Sequence, residues 1–174
     1  MQTTQCVSIA LIWFAISSTR VAAAMPQDAA NSAHDSDRAA IGNTVAHFVE
    51  AWNKHDVHAF AMTFTEDADF TNVAGTHARS RPAIEAFHAP LFAGIFKETH
   101  LTDMIRSIRF LTPTLAAVDV DWGMSGAKSP DCGPRPHRKG LLDFVMARQT
   151  GGSWLIEVMH NTDLTPSAPA PPAK

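Results

Sequence analysis

The chain has 174 residues, is 45% apolar and carries a formal charge of −3, which suits one globular domain with extensions. The mildly acidic balance and the lack of a long basic run exclude nucleic acid as the expected partner, and the apolar content excludes a wholly disordered chain. Tyrosine is absent, which removes one common catalytic acid.

The first stretch, Cys6 to Ser17, is an apolar run of about a dozen residues, too short to span a bilayer. Val21-Ala22-Ala23-Ala24 follows, with Ala22 and Ala24 forming a small-residue cleavage pattern. Residues 1–24 are therefore predicted to be a secretory signal peptide, giving a periplasmic or secreted protein with no stable membrane anchor after cleavage. No Lys or Arg precedes the run, so an uncleaved anchor is the alternative. Without the signal, Cys132 is the only cysteine, so no internal disulfide is expected and the fold must rest on its core.

Residues 25–37 are small and polar and read as a flexible lead-in. Asp35, Ser36 or Asp37 can cap a first helix, whose stripe is Ile41, Val45, Phe48, Val49 and Trp52. Asn53 to Asp56 breaks the pattern. Asp56 is placed to cap a second helix carrying Val57, Phe60, Ala61 and Phe64, with Glu66-Asp67 ending it.

Ala68 to Val73 alternates as a half-buried strand, and Gly75 supplies a turn. Pro82 suits the first turn of a third helix over about Arg81 to Ile95, with Ile84, Phe87, Leu91, Phe92 and Ile95 buried. Residues 99–110, 115–125, 139–149 and 153–164 read as strands. Thr112-Pro113-Thr114 separates the first two, and Thr150-Gly151-Gly152 joins the last two. Short turns imply antiparallel pairing, so the expected fold is α+β, with three helices packed on one curved antiparallel sheet. Gly126 to Arg138 is the one long loop, and residues 165–174 form a Pro/Ala-rich tail expected to be disordered.

Period-two alternation puts His160 on one face with Trp154, Ile156 and Val158, a setting for either a core histidine or a pocket acid–base group. His88 borders the third helix's buried stripe, and Asn72 is in phase with Phe70. Asn72, His88 and His160 are expected to converge on one cavity, with Asn72 or the Trp52 indole N–H as donor to a ligand oxygen. Asp119 and Asp121 fall on the face opposite Val118, Val120 and Trp122 and are read as solvent-facing. No zinc-protease motif or Cys/His cluster occurs. His47, His55 and His58 share roughly one face with only Asp56 as an acidic neighbour, so no metal or cofactor is expected.

Several motifs occur in a set order: Trp52-Asn53 and His55-Asp56, Glu66-Asp67-Ala68-Asp69-Phe70, Asn72 with Gly75, and Ile84 with His88. Leu91-Phe92-Ala93-Gly94, Trp154 and His160-Asn161-Thr162 complete the series. This order over residues 38–164 resembles the NTF2-like (cystatin-like) superfamily, in its SnoaL-like branch, and most of all the SgcJ/EcaC family. One departure is Ser80, where that family usually places glycine.

The resemblance implies a conical cavity between helices and sheet, and commonly a homodimer through the outer sheet face, where Leu141 and Val145 would lie. Ketosteroid isomerase and scytalone dehydratase belong to the superfamily and move protons on apolar substrates. His160 and His88, aimed inward by their phase, are the candidate catalytic groups, and Asn72, Trp52, Phe70 and Asn161 the candidate ligand-binding ones. The expected function is an exported binder of a small apolar or aromatic molecule, with isomerase-, dehydratase- or cyclase-type proton transfer. The alternative is a non-catalytic association or carrier module whose cone is filled by side chains. The oxidoreductase label often given to the SgcJ/EcaC family finds no support, since the chain has neither a dinucleotide fingerprint nor a redox cysteine pair.

Overall fold

The computed structural model describes residues 27–164 apart from 130 and 132. The expected signal peptide over 1–24, Cys132 and the tail over 165–174 lie outside the described residues. Helix α1 spans Gln27–Lys54. The lead-in expected to be flexible over 25–37 is thus helical from Gln27: the segment is Ala-rich and holds no glycine or proline after Pro26 to stop a helix. Asp37, freed from capping, is buried and used elsewhere. Its Oδ1 accepts hydrogen bonds from Trp154 Nε1 at 2.9 Å and Arg148 Nε at 3.1 Å, tying α1 to the sheet.

The stripe on α1 is as expected, with Ile41, Val45 and Phe48 fully buried. The helix ends where His55 takes a left-handed φ of 55°. Asp56 then caps α2, Val57–Ala61, its Oδ1 accepting from Ala59 N at 2.9 Å. This helix is shorter than its apolar spacing suggested. Phe64 opens strand β1, Phe64–Thr71, and Glu66-Asp67 sit inside that strand rather than ending a helix. The pair is exposed at a register irregularity between Phe64 and Asp69, so the i+7 match of Phe64 was coincidental.

A short strand β2, His77–Arg79, pairs back on β1. It leads through Ser80 into α3, Arg81–Ala93, with Pro82 in its first turn as expected. Ile84, His88 and Phe92 recur at every fourth position and form its buried face. Four long strands follow: β3 His100–Thr112, β4 Leu115–Ser125, β5 Arg138–Arg148 and β6 Trp154–Asp163.

The sheet order is β2-β1-β6-β5-β4-β3. All pairs are antiparallel except β1 with β6, which is parallel. The fold is the expected α+β cone. Irregularities in β1, β3 and β5–β6 bend the strands, as a bulge does, so the sheet curls around the helices. Its inner face presents Ala116, Val118, Val120, Trp122 and Met124 from β4 and Leu142, Phe144 and Met146 from β5. Asp119 and Asp121 face outward as expected, held by Ser107 Oγ at 2.7 Å and Arg106 Nε at 3.1 Å. Phe48, Phe60, Phe64 and Phe144 pack in one aromatic cluster between the layers. Burying each contributes about 1.5–3 kcal/mol.

Strand β6 corrects one expectation. Val145 pairs with Val158, but Met146 pairs with Ile156, so Glu157 is an extra residue without a partner on β5. One inserted residue reverses the phase of everything after it. Trp154 and Ile156 point inward, then Met159 does, and His160 is exposed on the outer face opposite Asp143.

Candidate functional site

Between α1, α3 and the inner sheet face lies a cavity of about 700 Å³, open at one end of the cone. A smaller groove of about 330 Å³, beside His47, Glu50 and Lys54, runs along the far side of α1 and is the more open of the two. The larger cavity has the character of a ligand site: apolar aromatic walls with a few convergent polar groups. The cone is therefore not filled by its own side chains. Phe70, Phe87, Phe96 and Trp122 supply much of the wall, and His88, Asn161, Arg135 and Arg138 the polar points.

His88 is delivered by α3. Spaced four residues from both Ile84 and Phe92, it shares their inward face and is only 3% exposed. Rings of Trp52, Phe60, Phe70, Phe87 and Phe92 surround it at centroid distances of 4.6–6.3 Å. Its Nδ1 lies 2.8 Å from the carbonyl oxygen of Ile84. A carbonyl only accepts, so Nδ1 carries the proton and Nε2 keeps its lone pair. Nε2 has no hydrogen bond among the described residues, yet it is not sealed off, so the lone pair faces the cavity. Burial pushes the pKa down to about 4, against a smaller upward pull from the Ile84 carbonyl. At neutral pH His88 is an uncharged hydrogen-bond acceptor in an apolar chamber.

The other expected residues divide. Trp52, Phe70, Asn72 and Asn161 all line the cavity with His88, whereas His160 does not. His160 is thereby removed as a pocket group, for the bulge at Glu157 turns it to solvent. The same bulge turns Asn161 inward, where its Oδ1 accepts from Trp122 Nε1 at 2.9 Å. Asn72 stands at the rim, with its carbonyl oxygen committed to the turn: Oδ1 accepts from Ala74 N at 2.9 Å and Thr76 N at 2.8 Å, and Gly75 follows at φ 77°. Trp52 offers an aromatic wall but not its N–H, which donates to Thr99 Oγ1 at 3.0 Å. Among the described residues no group of three His, Cys, Asp or Glu side chains is placed to hold a metal ion. His58 instead lies 3.2 Å from Glu85.

A model of the SnoaL-like domain matches residues 45–145, more than half of the chain. The chain belongs to the SnoaL-like family. A search of curated proteins finds no match. Among solved structures, this SnoaL-like chain is 31% identical to a domain of unknown function with a cystatin-like fold from Nostoc punctiforme. That match covers 72% of this chain and 76% of the other, with a TM-score of 0.64. An uncharacterised protein with a cystatin-like fold from Caulobacter vibrioides is 27% identical over 75% of this chain and 91% of its own, with a TM-score of 0.68. A ketosteroid isomerase-like protein from Erwinia carotovora atroseptica shares the fold at 16% identity, covering 74% and 96%, with a TM-score of 0.60.

The SnoaL-like cavity also holds residues that the sequence reading passed over. Arg138, the first residue of β5, is in phase with Gly140, Leu142 and Phe144; that alternation was the available signal. It is 7% exposed, and its Nε and Nη2 donate to Asp163 Oδ2 at 2.8 and 2.6 Å, with its guanidinium 5.6 Å from the Trp122 ring centroid. Gly140 makes room for that indole, for a Cβ there would meet the Thr162 carbonyl oxygen and stand 2.5 Å from the Trp122 ring. Arg135 comes from the 126–138 loop, and no local pattern in a proline-rich loop says which side chain turns toward the cone.

Proposed function

We propose that this SnoaL-like protein binds a small apolar or aromatic molecule in the cone and exchanges a proton with it through His88. The observation that carries the reading is the pinned tautomer of His88, with one nitrogen held by the Ile84 carbonyl and the other presented to a large apolar chamber. An unprotonated Nε2 can accept a proton from a carbon or hydroxyl of the ligand. With a pKa near 4 the resulting imidazolium is a strong acid and returns the proton readily, which suits a reversible shift such as isomerisation or dehydration. The likeness to a ketosteroid isomerase-like protein is consistent with this class of reaction.

The test is proton exchange. Aromatic ketones and hydroxy-aromatics are incubated with the protein in heavy water and followed by NMR. Deuterium should enter beside the carbonyl with the wild type and not with His88→Gln. Binding without exchange would instead support a ligand carrier. The same low pKa favours that second reading, because it makes His88 a weak base.

Three further parts belong to the proposal. The apolar run and small-residue site before Met25 support export, which an intact Met1 in a soluble cytoplasmic fraction would refute. Leu141 and Val145 on the outer face of β5 support a homodimer, which light scattering at a monomer mass would refute. The ordered motifs from Trp52-Asn53 to His160-Asn161-Thr162 support placement in the SgcJ/EcaC branch.

A further inference from the structure

The cavity is uneven in charge. Its ionisable lining groups are His88, Arg135, Arg138 and Asp163. His88 is neutral, and Arg138 and Asp163 form a close pair that cancels. Arg135 remains, and among the described residues its guanidinium has no hydrogen-bond or ion-pair partner. The apolar chamber thus ends in one uncompensated cation. Arg138 spends two donors on a single oxygen of Asp163, and an arginine has five.

The loop that presents Arg135 is braced. Pro134 and Pro136 flank it and fix their own φ. Arg135 N donates to Ala127 O at 2.9 Å, Lys128 bridges to Pro134, and Lys128 N donates to Ile95 O at 3.0 Å just past α3. A backbone held in this way needs little further ordering when the side chain engages a ligand.

We propose that the ligand is an amphipathic anion, an aromatic or apolar body bearing a carboxylate, with the carboxylate held by Arg135 at the Arg138 end of the cone. Arginine's planar fork matches a carboxylate in two parallel hydrogen bonds. The body would lie against Phe70, Phe87 and Trp122 and reach His88. An anion brought into the chamber also raises the pKa of His88, so the ligand would strengthen the base it meets. The inference rests on the pocket reading above and adds the ligand's charge.

The test uses two fluorescent probes with one aromatic skeleton: anilinonaphthalene sulfonate and its uncharged parent, phenylnaphthylamine. The sulfonate stands in for the carboxylate. The wild-type protein should bind the sulfonate about tenfold more tightly than the parent. Arg135→Met should bring the two affinities together by weakening only the sulfonate, and Arg135→Lys should keep most of the preference. Arg135 is exposed, so these changes leave the core intact. Equal affinities in the wild type, or a preference that survives Arg135→Met, would overturn the anion inference and leave the pocket reading standing. Failure of both probes to bind would overturn both.

Discussion

Trp122 Nε1 donates to Asn161 Oδ1 at 2.9 Å across the inner face of the sheet. The two residues face each other only because Glu157 is bulged out of β6. Replacing Asn161 with Leu should leave the indole N–H without its acceptor and cost about 1–2 kcal/mol in urea unfolding. It should also alter ligand affinity. His160→Gln, one residue away on the outer face, should change stability by less than about 0.5 kcal/mol and leave binding alone. If the two variants behaved alike, the bulge would be misplaced.

His88 makes stability depend on pH in a defined window. Its folded pKa of about 4 lies below its ordinary value of 6.5, so the unfolded chain takes up the proton first. Stability is full above the unfolded value and falls as pH drops from 6.5 toward 4. It levels off below, where the folded state is protonated too. The loss across the window is roughly 3 kcal/mol for this group. His88→Phe should flatten that part of the profile relative to the wild type, measured by urea unfolding at several pH values. A wild-type and variant difference that stays constant with pH would contradict the burial argument.

Ser80 sits at φ 85° and ψ 150°, a backbone region that is essentially glycine's. The strain costs on the order of 1–3 kcal/mol, and glycine returns part of the gain through greater freedom in the unfolded chain. Ser80→Gly should therefore stabilise the protein by about 1 kcal/mol. Ser80→Ala should not, because alanine keeps the Cβ. Thermal unfolding of the two variants checks this directly.

Gly140 lies where the Trp122 indole crosses β5. Gly140→Ala places a methyl group against that ring and against the Thr162 carbonyl, so the indole or the strand must move. An overpacking cost of about 1–3 kcal/mol is expected. Trp122 walls the cavity, so probe affinity should fall as well, by more than in a variant of equal stability changed on the outer sheet face. Unchanged binding would mean that Trp122 plays no part in holding the ligand.

Much of this molecule is legible in its residues because the information is local. Asp56 as a cap, Pro82 opening a helix, Gly75 in a turn and the alternation of β4 each depend on a few adjacent positions. His88 and Phe70 were found for the same reason: helical and strand phase are short-range quantities. Phase survives only until a residue is inserted, and nothing local in Ile156-Glu157-Val158 announces that Glu157 will be left without a partner. Pairing with β5 decided it, and with it the exchange of His160 for Asn161 at the cavity. The single indole N–H of Trp52 is read as a ligand donor on residue type, yet Thr99 Oγ1, 47 residues away, accepts it. Arg135 and Arg138 reach the mouth of the cone because a loop folds back and a strand begins beside Asp163. These contacts join residues far apart in the chain, and only packing of the whole fold determines which pairs meet.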